Sequence, residues 1–168
     1  MAFTQGFAGL RIGEAAALTL ANLDLEAGSI RVDHNLARNG ERKSPKTEAS
    51  RRTVAIGNFL IEELTYHLAA FSPELLVFTM PMGGPIRFDN WRNRYWIPAC
   101  EAALGQRVGT HTLRKSHMHQ MQGERIDPKV ISSRLGHENL SVSYDHYAHS
   151  TGEMDRQAAQ ILEEIIRP

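Results

Sequence analysis

The sequence predicts an α+β fold, mainly helical with one small antiparallel β-sheet, and three observations predict it. Two short strand-like runs, SIRVDH (29–34) and RRTVAI (51–56), flank a polar stretch whose Asn39-Gly40 pair is a strong turn signal. Around them the chain reads as helix, at 12–20, 58–71, 88–104, 111–122, 128–135 and 152–166. Finally, 168 residues with 42% apolar and 23% charged side chains suit one compact domain, with no low complexity, internal repeat or disorder signature.

Taken in order, residues 12–20 (IGEAAALTL) are rich in Ala and Leu, with Arg11 at the N-terminal end and Asn22, Asp24 and Gly28 supplying turn chemistry after them. The two strand runs then make a small antiparallel sheet, with Lys46 on a turn or strand end. In the helix from 111, Thr110 is placed to cap, and His111 and Arg114, three apart, share a face near the positive end of the helix dipole. Asp127-Pro128 opens the helix at 128–135 and Gly136 ends it. In the last segment Ala158, Ile161, Leu162, Ile165 and Ile166 form an apolar stripe at helical spacing.

Composition excludes several classes. The one cysteine, Cys100, can form no internal disulfide. No signal-like segment opens the chain, and no stretch approaches the roughly 18 uninterrupted apolar residues of a spanning helix. No membrane partner and a cytoplasmic location are therefore expected. Lys plus Arg equals Asp plus Glu at 19 each, yet charge is uneven along the chain. Residues 31–52 hold seven basic against three acidic side chains, and 87–134 hold nine against four. Those two segments are +4 and +5 while the rest of the chain is acidic, which suits a local anionic partner and weak, salt-sensitive affinity for a polyanion.

Three stretches gather the chemistry: 9-GLRIGE-14, 111-HTLRKSH-117 and 134-RLGHENLSVSYDHY-147. Arg11, between Leu10 and Ile12, needs a partner if buried; Glu14 and an anionic ligand both qualify. His111 and Arg114 together suit a phosphate. His137 follows a chain-reversing glycine, with Tyr144 and Tyr147 beyond it. Such a set suits phosphoryl transfer to a tyrosine. Taken one at a time, each has a plainer reading: a first-turn His beside an exposed Arg, an Arg paired to Glu14, tyrosines packing at half-buried positions. The pair His117-x-His119 near His111 raises a metal-dependent nuclease as an alternative, although the usual carboxylate ligands and spacing are missing.

In content, order and spacing, the three stretches resemble the tyrosine recombinase (phage integrase) family, which cuts and rejoins DNA. KTEASRRTVAI (46–56) resembles the family's K-T-x-x-S-x-R-x-V stretch and singles out Lys46 over Lys43. The ten-residue interval from His137 fits Tyr147 and not Tyr144. The resemblance implies a tyrosine recombinase catalytic-domain fold and a site of Arg11, Lys46, His111, Arg114, His137 and the nucleophile Tyr147. It implies a 3′-phosphotyrosyl intermediate, no metal and no other cofactor. Its partners would be double-stranded DNA attachment sites and further copies of the chain, assembled as a tetramer on DNA. A type IB topoisomerase-like enzyme and a non-enzymatic DNA-binding remnant are the alternatives. Departures are Lys115, where His is frequent, and the short start. Residues 1–168 would be the catalytic domain without the family's separate DNA-gripping helical domain. MAFTQGFA is expected to leave no room for the helix that usually precedes GLR, and 152–168 is expected to form a C-terminal helix or tail, its stripe packing either on the chain's own core or, as the resemblance implies, on a neighbouring protomer.

Overall fold

The computed structural model describes residues 1–45 and 50–137. Lys46, Tyr144, Tyr147 and the apolar stripe of 152–168 lie outside the described residues. Helices are α1 (Ala2–Ala8), α2 (Ile12–Ala16), α3 (Asn58–Phe71), α4 (Phe88–Trp91), α5 (Ile97–Leu104), α6 (His111–Gly123) and α7 (Pro128–Leu135). Strands are β1 (Leu23–Asp24), β2 (Ser29–Val32), β3 (Asn35–Leu36), β4 (Arg42–Lys43) and β5 (Arg52–Ala55).

The first seven helical residues correct the expectation that MAFTQGFA has no room for a helix. Seven residues cannot hold a helix alone, because nucleation is costly. Here α1 is held by burial of Thr4, Gln5 and Ala8 and by a left-handed cap at Gly9 (φ 68°), whose N–H donates to the Thr4 carbonyl. A Cβ at Gly9 would also stand 2.8 Å from His117 and Leu135 side-chain carbons. The first glycine of GLRIGE thus serves both a turn and a close approach.

The helix expected over 12–20 ends at Ala16 and is followed by a 3-10 turn at Leu20–Asn22. Tertiary pairing overrides the Ala/Leu propensity: Val77 N–H donates to the Leu18 carbonyl, Leu20 N–H to that of Leu75, and Thr19 bridges Leu76. Gly13 lets α2 lie against β3, since a Cβ there would fall 2.2 Å from Asn35 Oδ1 and 2.9 Å from the Leu36 carbonyl.

The sheet is as expected in kind and richer in detail. β2 pairs antiparallel with β5, in register Ile30↔Val54 and Val32↔Arg52, and β1 adds a third strand on the other side of β2. The Asn39-Gly40 turn closes a separate two-stranded ladder, β3 with β4, inside the β2–β5 connection. Alternation along β2 buries Ile30 and Val32 and leaves Arg31 in solvent.

Residues 88–104 are helical throughout, but Arg92–Trp96 form a π-helical turn between α4 and α5. Pro98, just beyond, has no N–H to donate, and a widened turn is one way a helix absorbs that loss. Thr110 occupies the position before α6 without a side-chain cap, whereas Asp127 caps α7 by accepting from Lys129 N–H, and Gly136 (φ 63°) ends it. The main core joins α1, α2, the sheet and α3 through Leu10, Ile30, Val54, Leu60 and Val77; a second, of Met118, Ile131 and Leu135, joins α6 to α7. No helix among the described residues is long and apolar enough to cross a membrane.

Candidate active site at the seam between two cores

The seam between those two cores carries the charge. Arg11 stands in extended backbone immediately before α2, and Glu14, one turn on, takes both its backbone N–H (2.8 Å) and its Nη1 (2.7 Å). The pairing expected from the sequence is present. Glu14 also accepts two hydrogen bonds from Arg52 of β5, at 2.9 and 3.1 Å, and lies 3.8 Å from Arg114 Nη1. One carboxylate therefore faces three guanidiniums, leaving a surplus of two positive charges.

Burial divides these groups. Glu14 and Arg52 side chains are 6% exposed and Arg114 is 4%, whereas Arg11 is 38% exposed. Arg114 reaches across the seam, donating from Nη1 to the Gly9 carbonyl and from Nη2 to that of Leu135. Arg11 Nη2 donates to the Gly136 carbonyl at 3.1 Å. Two of the five N–H groups of Arg114 are thus committed to backbone, which orients a fork that burial alone would leave without partners.

Electrostatics follow from this crowding. Burial would raise the Glu14 pKa, but the hydrogen bonds and charge of Arg52, then of Arg11, prevail and lower it to about 2. Burial, then the Arg11 charge, pulls Arg114 down to about 9, still a cation at neutral pH. His137, directly after the Gly136 cap, is lowered to about 4 by burial and by Arg114, Arg11 and Arg52, with Glu14 opposing. His111 is lowered by burial and by Arg114, Lys115 and Arg11. Both imidazoles are neutral at neutral pH, beside a positive centre that an anion would complete.

The structure therefore brings Arg11, Arg114, His111 and His137 to one seam; Lys46 and Tyr147 are outside the described residues. It adds Arg52 and Arg134, to which the sequence reading gave no role, and His117, which that reading weighed only as a metal ligand. Arg52 is the arginine of the K-T-x-x-S-x-R-x-V pattern, so a signal for it existed. His117 Nδ1 faces the Gly6 carbonyl at 2.9 Å and must donate to it, so Nε2 accepts from Arg134 Nε at 3.2 Å. With both ring nitrogens engaged, His117 is a tie between α1, α6 and α7, which counts against the metal-nuclease alternative. Among the described residues no three of His, Cys, Asp and Glu are grouped to hold a metal ion.

Comparison with known proteins agrees with this geometry. The model of the phage integrase family matches residues 7–154, and the chain belongs to that family, as the catalytic domain of a tyrosine recombinase. Curated relatives include the integrase of Staphylococcus phage L54a, 28% identical over 96% of this chain and 50% of its own length. Another is the tyrosine recombinase XerC of Halalkalibacterium halodurans, 29% identical over 85% of this chain and 46% of its own. The chain spans about half the length of the curated relatives it matches. Among solved structures, the Tn1549 transposon integrase in complex with circular intermediate DNA aligns with a TM-score of 0.83 at 20% identity. That alignment covers 96% of this chain and 58% of the integrase. XerH recombinase bound to its difH substrate aligns at 0.70 and 23% identity, over 96% of this chain and 45% of XerH. The fold is the expected tyrosine recombinase catalytic-domain fold, and the topoisomerase-like and remnant alternatives are not favoured.

Proposed function

We propose that this chain is the catalytic part of a site-specific DNA recombinase, cleaving and rejoining strands through a 3′-phosphotyrosyl link at Tyr147. The observation that carries the proposal is the seam itself, where Arg11 and Arg114 are held beside one carboxylate, with surplus positive charge and two neutral histidines. The Tyr147 hydroxyl oxygen forms a bond to the scissile phosphorus as the bond from phosphorus to the 5′-oxygen breaks. Arg11 and Arg114 donate to the nonbridging oxygens, whose charge grows in the transition state. His111 takes the phenol proton. The scissile phosphate's own charge offsets the cations that hold His111 neutral, so binding substrate raises its basicity when a proton must be accepted. His137 hydrogen-bonds the phosphate, and Lys46 donates a proton to the leaving 5′-oxygen. Phosphodiester energy is kept in the tyrosyl link, so rejoining needs no nucleotide or metal cofactor.

The substrate of this reading is a pair of double-stranded DNA attachment sites in the bacterial cytoplasm. Relatives of this family that were solved with DNA support that partner. The apolar stripe of 152–168 supports a tail that docks on a neighbouring copy, with a tetramer on DNA as the working assembly.

Incubation with a pool of nicked duplexes, followed by denaturing electrophoresis, tests the reaction. Wild-type protein and Tyr144→Phe should give a covalent protein–DNA band, and Tyr147→Phe should give none while binding DNA as before. A band from Tyr147→Phe, or none from wild type on any duplex, overturns the reading.

A further inference from the structure

Arg52 is not among the residues expected to meet the phosphate, and its geometry explains why. It enters the seam from β5, is nearly enclosed, and has a partner on every side. Nη1 and Nη2 fork onto the two oxygens of Glu14 at 3.1 and 2.9 Å. Nε donates to the Arg134 carbonyl of α7 at 2.7 Å, and Nη1 also reaches the Ser50 carbonyl at 3.3 Å. We infer that Arg52 is a positioning residue of the recombinase site: it locks the Glu14 carboxylate from behind so that Glu14 can hold Arg11 and Arg114 in front.

Geometry supports this division of labour. Glu14 Oε1 is shared by Arg11 Nη1 and Arg52 Nη1, and Glu14 Oε2 by the Arg11 N–H and Arg52 Nη2. A carboxylate held at only one end of such a set could rotate toward Arg11 or Arg114 and unbalance them. The planar, bidentate fork prevents that rotation, and the bond to α7 ties the carboxylate's orientation to the element that carries Gly136 and His137. Lysine could keep the charge but could not span Glu14 and the Arg134 carbonyl as a fixed fork.

The inference rests on the recombinase reading, and two readouts keep them apart. Arg52→Gln and Arg52→Lys would be compared with wild type in single-turnover adduct formation at saturating DNA, and in NMR titration of His137 without DNA. His137 is faced by Arg114 of α6, Arg11 before α2, Arg52 of β5 and the opposing Glu14. Arg52→Gln should raise the His137 midpoint and slow adduct formation at least tenfold, with DNA affinity within twofold. Arg52→Lys should return the His137 midpoint toward wild type without restoring the rate, a split that loss of stability alone would not produce. On a Glu14→Gln background, Arg52→Gln should slow the reaction little further, because it acts through that carboxylate. Wild-type rate in Arg52→Lys, or additive effects in the double variant, overturns the inference. If Arg52→Gln does not fold, Arg52→Lys decides. If the wild type forms no adduct, the recombinase reading fails first, and an unchanged His137 midpoint in folded Arg52→Gln, which removes both the fork and its charge, then overturns the placement as well.

Discussion

Glu14 receives hydrogen bonds from two guanidiniums and a backbone N–H, and the residues around it divide into those that hold and those that stay available. Arg11 keeps the most exposed fork of the set, and Arg114 is enclosed but orders the seam through two carbonyls. Replacing either by Ala removes a donor aimed at growing charge, and single-turnover cleavage is expected to fall roughly 10²- to 10³-fold. Quenched-flow measurement of the covalent adduct reads this, and near-normal cleavage by either variant would refute its role. Arg11, His111, Arg114 and His137 were legible in the sequence because each sits in a compact motif with tell-tale spacing. Arg52 was legible only as a position of the K-T-x-x-S-x-R-x-V pattern, because an arginine beside Arg51 on a short strand looks like surface charge until β5 turns it inward.

Elements in this chain end where another part of the molecule competes for their backbone. α2 stops early because Leu18 and Leu20 are taken up by residues 75–77, a contact between segments almost sixty positions apart that no local pattern announces. The glycines of GLRIGE are the converse case, local in sequence but needed for tertiary reasons. Gly9→Ala and Gly13→Ala should each destabilise by about 1–3 kcal/mol, the first through φ 68° and contact with His117, the second through collision with Asn35 and the Leu36 carbonyl. Gly123→Ala, at the exposed end of α6 with open space around its Cβ, should instead stabilise by about 0.5–1 kcal/mol. Urea midpoints of the three variants check the contrast, and equal destabilisation at all three sites would show that the close approaches do not matter.

Across the whole molecule, the seam couples the N-terminal layer to the α6–α7 pair, and its charges make stability depend on pH. His137, His111 and His117 are all held below the usual histidine value, each first by burial. The unfolded chain therefore binds protons on these groups before the folded chain does, and stability falls as pH drops below about 6.5. For His137 that loss continues to about 4. Glu14 has its pKa lowered from 4.5 to about 2, so its contribution is complete above 4.5 and is lost as pH falls toward 2. Denaturant midpoints should decline from near pH 6.5 and fall further below 4.5, and Glu14→Gln should lessen the second decline, to which Asp33 also contributes, while lowering stability at neutral pH. A midpoint flat between pH 6.5 and 4 would contradict the placement of the histidines.

By itself the sequence determined the fold class, α3, α6 and α7 nearly to their ends, the outer bounds of the helical stretch 88–104, the two main strands and the motifs that identify the family. Those features rest on period, capping residues and spacing, all of which act over a few positions. Only the tertiary structure decided that residues 2–8 are helical, that α2 is short, that His117 is a tie and not a ligand, and that Glu14 is shared among three arginines. The first depends on burial of Thr4, Gln5 and Ala8 and the others on partners from distant segments, and both are chosen by tertiary packing, about which local pattern carries no information.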